Sequence, residues 1–160
     1  MSQDIPSDHP VGGRPAGDQP HLLIIEARYY DEIGDMLLTG AERALSEGGA
    51  TFDQINVPGA LEIPAVIRMA IESGQYDAYV ALGCVIEGET WHDRIVGGES
   101  ARGLMDLTLY DGALIGNGIL TVHSQEQAKA RANPDGGKGK GGDAARAALA
   151  LLNVKSCLQR

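Results

Sequence analysis

The chain has 160 residues, with 13 Lys and Arg against 22 Asp and Glu, a formal net charge of −9, and only 4% aromatic residues. That length suits one domain with a core of its own, and the acidic balance excludes a nucleic-acid partner, which needs a basic surface. No apolar run approaches the ~20 residues that span a bilayer, so no membrane segment is expected.

Residues 1–20 carry Pro6, Pro10, Pro15 and Pro20 with Gly12, Gly13 and Gly17 among polar residues. Such a stretch has little to bury and reads as a flexible or extended arm; docking on a neighbouring subunit is the other use for it. The domain then runs over 21–160. Leu22–Ala27 reads as a buried strand. Ile33, Met36, Leu37, Ala41 and Leu45 follow at helical spacing, closed by Gly48-Gly49. Phe52–Val57 is a second strand, and Ile63–Ser73 a helix with Pro64 in its first turn. Ala78–Ile86 is a third strand. Thr90 is the expected N-cap of a helix reaching about Leu109, and Ala113–Leu120 a fourth strand. Ser124 with Gln127 makes a capping box for a short helix. Beyond a glycine-rich break, Asp143–Val154 forms the last helix. Apolar strands alternating with helices predict an α/β fold: a three-layer αβα sandwich on a four-stranded parallel sheet.

Cys84 and Cys157 have neither disulfide nor zinc spacing, and His9, His21, His92 and His123 form no i, i+4 pair. No metal centre is expected, and with no basic-then-apolar leader in view the expected compartment is the cytoplasm.

In an open α/β sheet, ligands bind beyond the carboxyl ends of the strands. The segments there are Ala27–Asp31, Val57–Pro64 and Ile86–His92. They hold Tyr29, Tyr30 and Trp91, three of the chain's seven aromatics. Taken singly, the two tyrosines also suit a lid on the core, Glu62 a solvated carboxylate at a helix start, and His92 an exposed polar residue. Together they place an imidazole, a carboxylate and a stacking aromatic at one sheet edge. Gly88-Glu89-Thr90 can offer backbone N–H groups and a hydroxyl to an anion. Gly136–Gly142, with Lys138 and Lys140, reads either as a linker or as a mobile basic loop over a phosphate, with Arg131 upstream.

These residues resemble the lumazine synthase family over about His21 to Leu152. The matching blocks are the aromatic after Arg28, Val57–Pro64 (VPGALEIP), Ala81–Val85 (ALGCV), Gly88-Glu89-Thr90 followed by His92, Gly116–Val122 (GNGILTV), Glu126-Gln127-Ala128, and Arg131 ahead of Lys140-Gly141. The resemblance implies a flavodoxin-like topology. It also implies condensation of 5-amino-6-(D-ribitylamino)uracil with 3,4-dihydroxy-2-butanone 4-phosphate to 6,7-dimethyl-8-ribityllumazine in riboflavin biosynthesis, without a cofactor. Carried over by position, His92 is the general acid/base and Tyr29 stacks on the pyrimidine. Ala60, Leu61 and Glu62 belong to the substrate-binding segment, with Ala60 and Glu62 where the ribityl chain is held. Val85 and Ile86 give backbone contacts, and Glu87 and Asn117 complete the substrate-contacting set. Gly88, Glu89 and Thr90 form the phosphate loop, with Arg131 donated by a neighbouring subunit and Lys140 nearby.

The resemblance further implies a homopentamer with active sites between subunits, and some members close into icosahedral shells. The longer Lys138–Gly142 loop and the proline-rich arm favour the free pentamer. Several positions depart from the family pattern. Glu87 stands where Arg or Lys is usual, putting a negative charge beside the phosphate loop, so on this reading Glu87→Arg improves phosphate-substrate binding. Asp93-Arg94 replaces an aromatic–acidic pair, and Asn117 an aromatic. These departures leave a second reading, a catalytically impaired or engineered homologue that serves as a self-assembling scaffold. A flavodoxin-like flavin or signalling module, the third, would predict a yellow protein or an acidic phosphoacceptor cluster, and no such Asp cluster ends the first strand.

Overall fold

The computed structural model describes residues 14–160; the first thirteen residues of the expected arm lie outside the described residues. Four parallel strands make one sheet in the order β2-β1-β3-β4. They are β1 (His21–Ala27), β2 (Thr51–Val57), β3 (Ala78–Ile86) and β4 (Ile115–Val122). The helices are α1 (Asp31–Glu47), α2 (Ile63–Ser73), α3 (His92–Asp111), α4 (Gln125–Ala132) and α5 (Lys140–Leu158).

β1 is buried along its whole length, as the Leu22–Ile25 run requires of a central parallel strand. Side-chain alternation divides it between two cores. Leu22 and Ile24 face Ile33 and Leu37 of α1, Ala128 of α4 and Ala145 of α5. Leu23, Ile25 and Ala27 face Ile63 and Ile67 of α2 and Leu104 and Leu107 of α3. The αβα sandwich on a four-stranded parallel sheet is therefore the observed fold. Among the described residues, no helix is long and apolar enough to cross a membrane.

Residues 14–20 form no regular element, yet they touch the sheet. Arg14 pairs with Asp77 at 2.9 Å, and the Pro20 carbonyl accepts from Thr51 N–H. At this amino end of the strands, His21 Nδ1 lies 2.8 Å from Thr51 Oγ1 and its Nε2 3.3 Å from Asp53, which also accepts from the Tyr76 hydroxyl at 2.8 Å.

Three differences from the sequence reading bear on the site and its packing. β4 begins at Ile115, two residues late, because its ladder runs from Tyr79 opposite Ile115 to Ile86 opposite Val122. Thr90 is not the cap of α3: Trp91 holds that position with no side-chain bond, and Thr90 Oγ1 only accepts from His92 N–H at 3.4 Å. The third difference is the largest. Lys140, Gly141 and Gly142 are not part of a mobile basic loop but the first turn of α5. A Cβ on Gly141 would stand 1.9 Å from Leu37 O, and one on Gly116 1.8 Å from Ala144 O. These glycines let α5 press its backbone against α1 and β4; they serve packing rather than flexibility. The Ser124 half of the capping box is present, accepting from Gln127 N–H, while Gln127 Oε1 accepts from His123 N–H, one residue before the cap.

Candidate active site

At the carboxyl end of the sheet, a cavity of about 470 Å³ opens between the turns that follow β1, β2 and β3. Its lining includes Tyr29, Ala60, Leu61, Glu62, Val85, Ile86, Gly88, Thr90 and His92. Nine of the anticipated residues thus converge from three separate segments. A second cavity of about 590 Å³ lies between α3 and β4 and takes in Glu87, Arg94, Asn117 and His123. Val85 and Asp93 border both.

The β1 turn is tied from below. Glu26 is fully buried, and its carboxylate accepts from Arg28 Nη1 at 3.2 Å and from Gln54 Nε2 at 3.0 Å. The same guanidinium donates to Asp35 at 2.6 Å and to Asp31 O at 3.3 Å. Burial pushes the Glu26 carboxyl upward against the opposing pull of Arg28. Gly34 is required above it, since a Cβ there would lie 2.6 Å from Glu26 Oε1. This clasp fixes the backbone just before Tyr29, whose ring stays 67% exposed and meets Tyr30 edge-on at 5.0 Å. Sequence reasoning passed over Glu26 and Arg28. The available signal was a carboxylate inside an apolar strand with a cation two residues on, on the same face.

After β2, a 3₁₀ turn at Ala60–Glu62 leads directly into α2. Ala60 is buried while Leu61 is open. The Glu62 carboxylate folds back over Gly59, where a Cβ would sit 3.0 Å from it. The turn after β3 is exposed from Glu87 to His92. Cys84 beneath the cavity has its thiol pushed up to about 11 by burial, so it stays protonated and is no nucleophile there. Asp93 Oδ1 is buried without a partner among the described residues, an acceptor left open at the wall between the cavities.

Five anticipated residues stand apart from His92. Glu87 projects into the second cavity, because successive side chains alternate across the end of β3 and Ile86 and Gly88 take the near side. Its charge is met there by His123 and by Arg94 at 4.0 Å, not left beside the Gly88–Thr90 turn as anticipated. Asn117 is in the second cavity too. Arg131 donates to Gln127 O within α4, and Lys140 pairs with Asp143 at 3.1 Å. Neither lines the cavity of His92, and nor does Glu89.

The family profile described as 6,7-dimethyl-8-ribityllumazine synthase matches residues 19–156. The chain belongs to the 6,7-dimethyl-8-ribityllumazine synthase family. A relative of that name from Zymomonas mobilis is 58% identical over 137 residues, covering 86% of this chain and 97% of its own. Another, from Novosphingobium aromaticivorans, is 59% identical over 134 residues, covering 84% and 95%. The lumazine synthase of Agrobacterium fabrum is 56% identical over 145 residues, covering 88% and 97%. The shared stretch takes in all three cavity-forming turns.

Proposed function

We propose that this chain is a lumazine synthase, a transferase of riboflavin biosynthesis that condenses 5-amino-6-(D-ribitylamino)uracil with 3,4-dihydroxy-2-butanone 4-phosphate. The observation that carries the reading is the convergence of Tyr29, Ala60–Glu62, Val85-Ile86, Gly88, Thr90 and His92 on one cavity in a chain of this family. In the proposed reaction the pyrimidine amine attacks the ketone carbonyl with loss of one water, phosphate is eliminated, and the ribitylamine closes the ring on the resulting carbonyl with loss of a second water. Tyr29 offers an open ring face for the pyrimidine. Ala60, Leu61 and Glu62 hold the ribityl chain, with Val85 and Ile86 supplying backbone contacts. His92 moves the protons, and no cofactor takes part. Holding two reactants in register supplies much of the acceleration.

The phosphate end lacks a cation within one chain's cavity. Arg131, Lys140 and Asn117 are therefore assigned to a neighbouring copy's site, with Gly88, Glu89 and Thr90 giving the turn that meets the phosphate. This makes the working unit a homopentamer with sites between subunits. The open apolar side chains Met69, Met105, Leu109 and Tyr110 on α2 and α3 suit such contacts. The cytoplasm is the compartment proposed, where the free thiols of Cys84 and Cys157 stay reduced.

Incubation with both substrates tests the activity. Lumazine absorbance and fluorescence should appear, and no product at high enzyme concentration with intact circular dichroism overturns it. Sedimentation should give a particle of five 16.8 kDa chains. A monomer refutes the shared site, and a shell-sized particle refutes the free pentamer.

A further inference from the structure

The turn that carries Thr90 and His92 has few holds on the rest of the chain. Glu87, Gly88, Glu89, Thr90, Trp91 and His92 are all exposed. The α3 that follows buries Ser100, Leu104 and Leu107, and no residue in its first two turns. Among the described residues, the side-chain ties across this stretch begin at Glu87. Its carboxylate binds His123 Nδ1 just past the end of β4, and Arg94 from the first turn of α3 reaches back to it at 4.0 Å. Arg94 also lies 5.7 Å from the Trp91 ring centroid, over the residue next to His92. Glu87 N–H donates to Val122 O at 2.8 Å, carrying the ladder one step past β3. The His123 backbone is in turn held by the Gln127 side chain of the α4 capping box.

We propose that Glu87 is a positioning residue: its pairing with His123 and Arg94 clamps both ends of the Gly88–Trp91 turn to β4 and so sets where His92 stands in the cavity. This rests on the proposed lumazine synthase activity and deepens it. It also replaces the account in which Glu87 repels the phosphate-bearing substrate, because the carboxylate faces the second cavity and is already paired. The two accounts diverge cleanly. Repulsion predicts that removing the charge lowers KM for the phosphate substrate and leaves kcat unaltered. A clamp predicts the reverse, since displacing a proton-transferring group by a fraction of an ångström slows chemistry more than binding.

The test uses the full-length chain and four variants: Glu87→Ala, Glu87→Gln, Glu87→Arg, and the reversed pair Glu87→Arg/His123→Glu. Glu87→Ala and Glu87→Arg should each lower kcat about fivefold or more with KM for the phosphate substrate within about twofold. Glu87→Gln, which keeps one hydrogen bond, should fall less. The reversed pair should recover most of the loss. Amide hydrogen exchange of residues 88–92 should quicken in the single variants and slow again in the reversed pair. Unchanged kcat in Glu87→Ala, a change confined to KM, or no recovery in the reversed pair overturns the clamp. Circular dichroism and sedimentation on each variant separate misfolding or loss of assembly from displacement of His92. Should the wild-type chain make no lumazine, the activity reading fails on its own, and the exchange rates alone still decide the clamp.

Discussion

Two turns face each other across the 470 Å³ cavity, and they are built in opposite ways. The turn after β1 stands on a buried carboxylate whose partners come from the turn itself, β2 and α1: Arg28, Gln54 and, through Arg28, Asp35. The turn after β3 stands on pairs at the surface, Glu87 with His123 and Arg94. In a low-dielectric site a pair is strong and its loss severe, whereas exposed pairs are screened and individually weak. So the side that presents the aromatic face of Tyr29 is rigid, and the side that presents His92 is adjustable. That suits the proposed reaction, in which one reactant is held flat while a proton carrier follows several successive steps.

Breaking the rigid side should have the largest effect on stability. Arg28→Ala leaves Glu26 buried with only Gln54 to satisfy it, which should cost about 3 kcal/mol, the lower end for an orphaned buried charge. Urea denaturation measures it. A loss below about 1 kcal/mol would show the clasp to be no firmer than the surface pairs opposite. On the adjustable side, His92→Ala should lower kcat about 100-fold while leaving the denaturation midpoint within the scatter of surface substitutions. A large fall in stability there, or a small one in rate, would erase the contrast between the two turns.

The clasp also has a pH signature. Burial raises the Glu26 carboxyl above its ordinary value of 4.5, outweighing Arg28. The folded chain therefore keeps this proton after the unfolded chain has released it. Stability contributed by Glu26 is complete below the ordinary value, declines as pH climbs towards the folded value, and is level above it. Glu26→Gln should therefore gain on the wild type across that window and hold the gain beyond it. Denaturation at a series of pH values checks the slope, and a gap that shrinks with rising pH refutes it.

Much of this was legible in the sequence. The apolar strands and helical spacings gave the sheet and its helices, and nine of the anticipated residues meet in one cavity because ligand sites in such sheets follow strand ends. What escaped the sequence depends on tertiary packing. Gly141-Gly142 looks the same in a linker as in a helix turn; only the 1.9 Å approach to Leu37 O tells them apart. Glu26 drew no reading because its partner Gln54 lies on another strand and meets it only in the fold. Glu87 was misread because a residue's position along the chain does not say which side of the strand end it faces. Asn117, Arg131 and Lys140 line no cavity with His92 in one chain, so the role proposed for them requires a second copy.

The smallest expected effect sharpens the comparison furthest. α3 starts without a side-chain cap, buries no residue before Ser100, and contains Gly97-Gly98 in that stretch. A Cβ at Gly98 meets nothing within 4 Å, whereas one at Gly97 would press on Thr121 Cγ2 at 3.0 Å. Gly98→Ala should therefore stabilise the chain by about 0.5–1 kcal/mol, through helix propensity and a less free unfolded chain. Gly97→Ala should gain less or lose, since Thr121 has to yield. Hydrogen exchange locates the effect: in Gly98→Ala it should slow over residues 93–99 and stay unchanged at the Tyr29 turn. Slower exchange at both turns would mean that they move as one unit, and the two sides of the cavity would then differ in chemistry but not in rigidity.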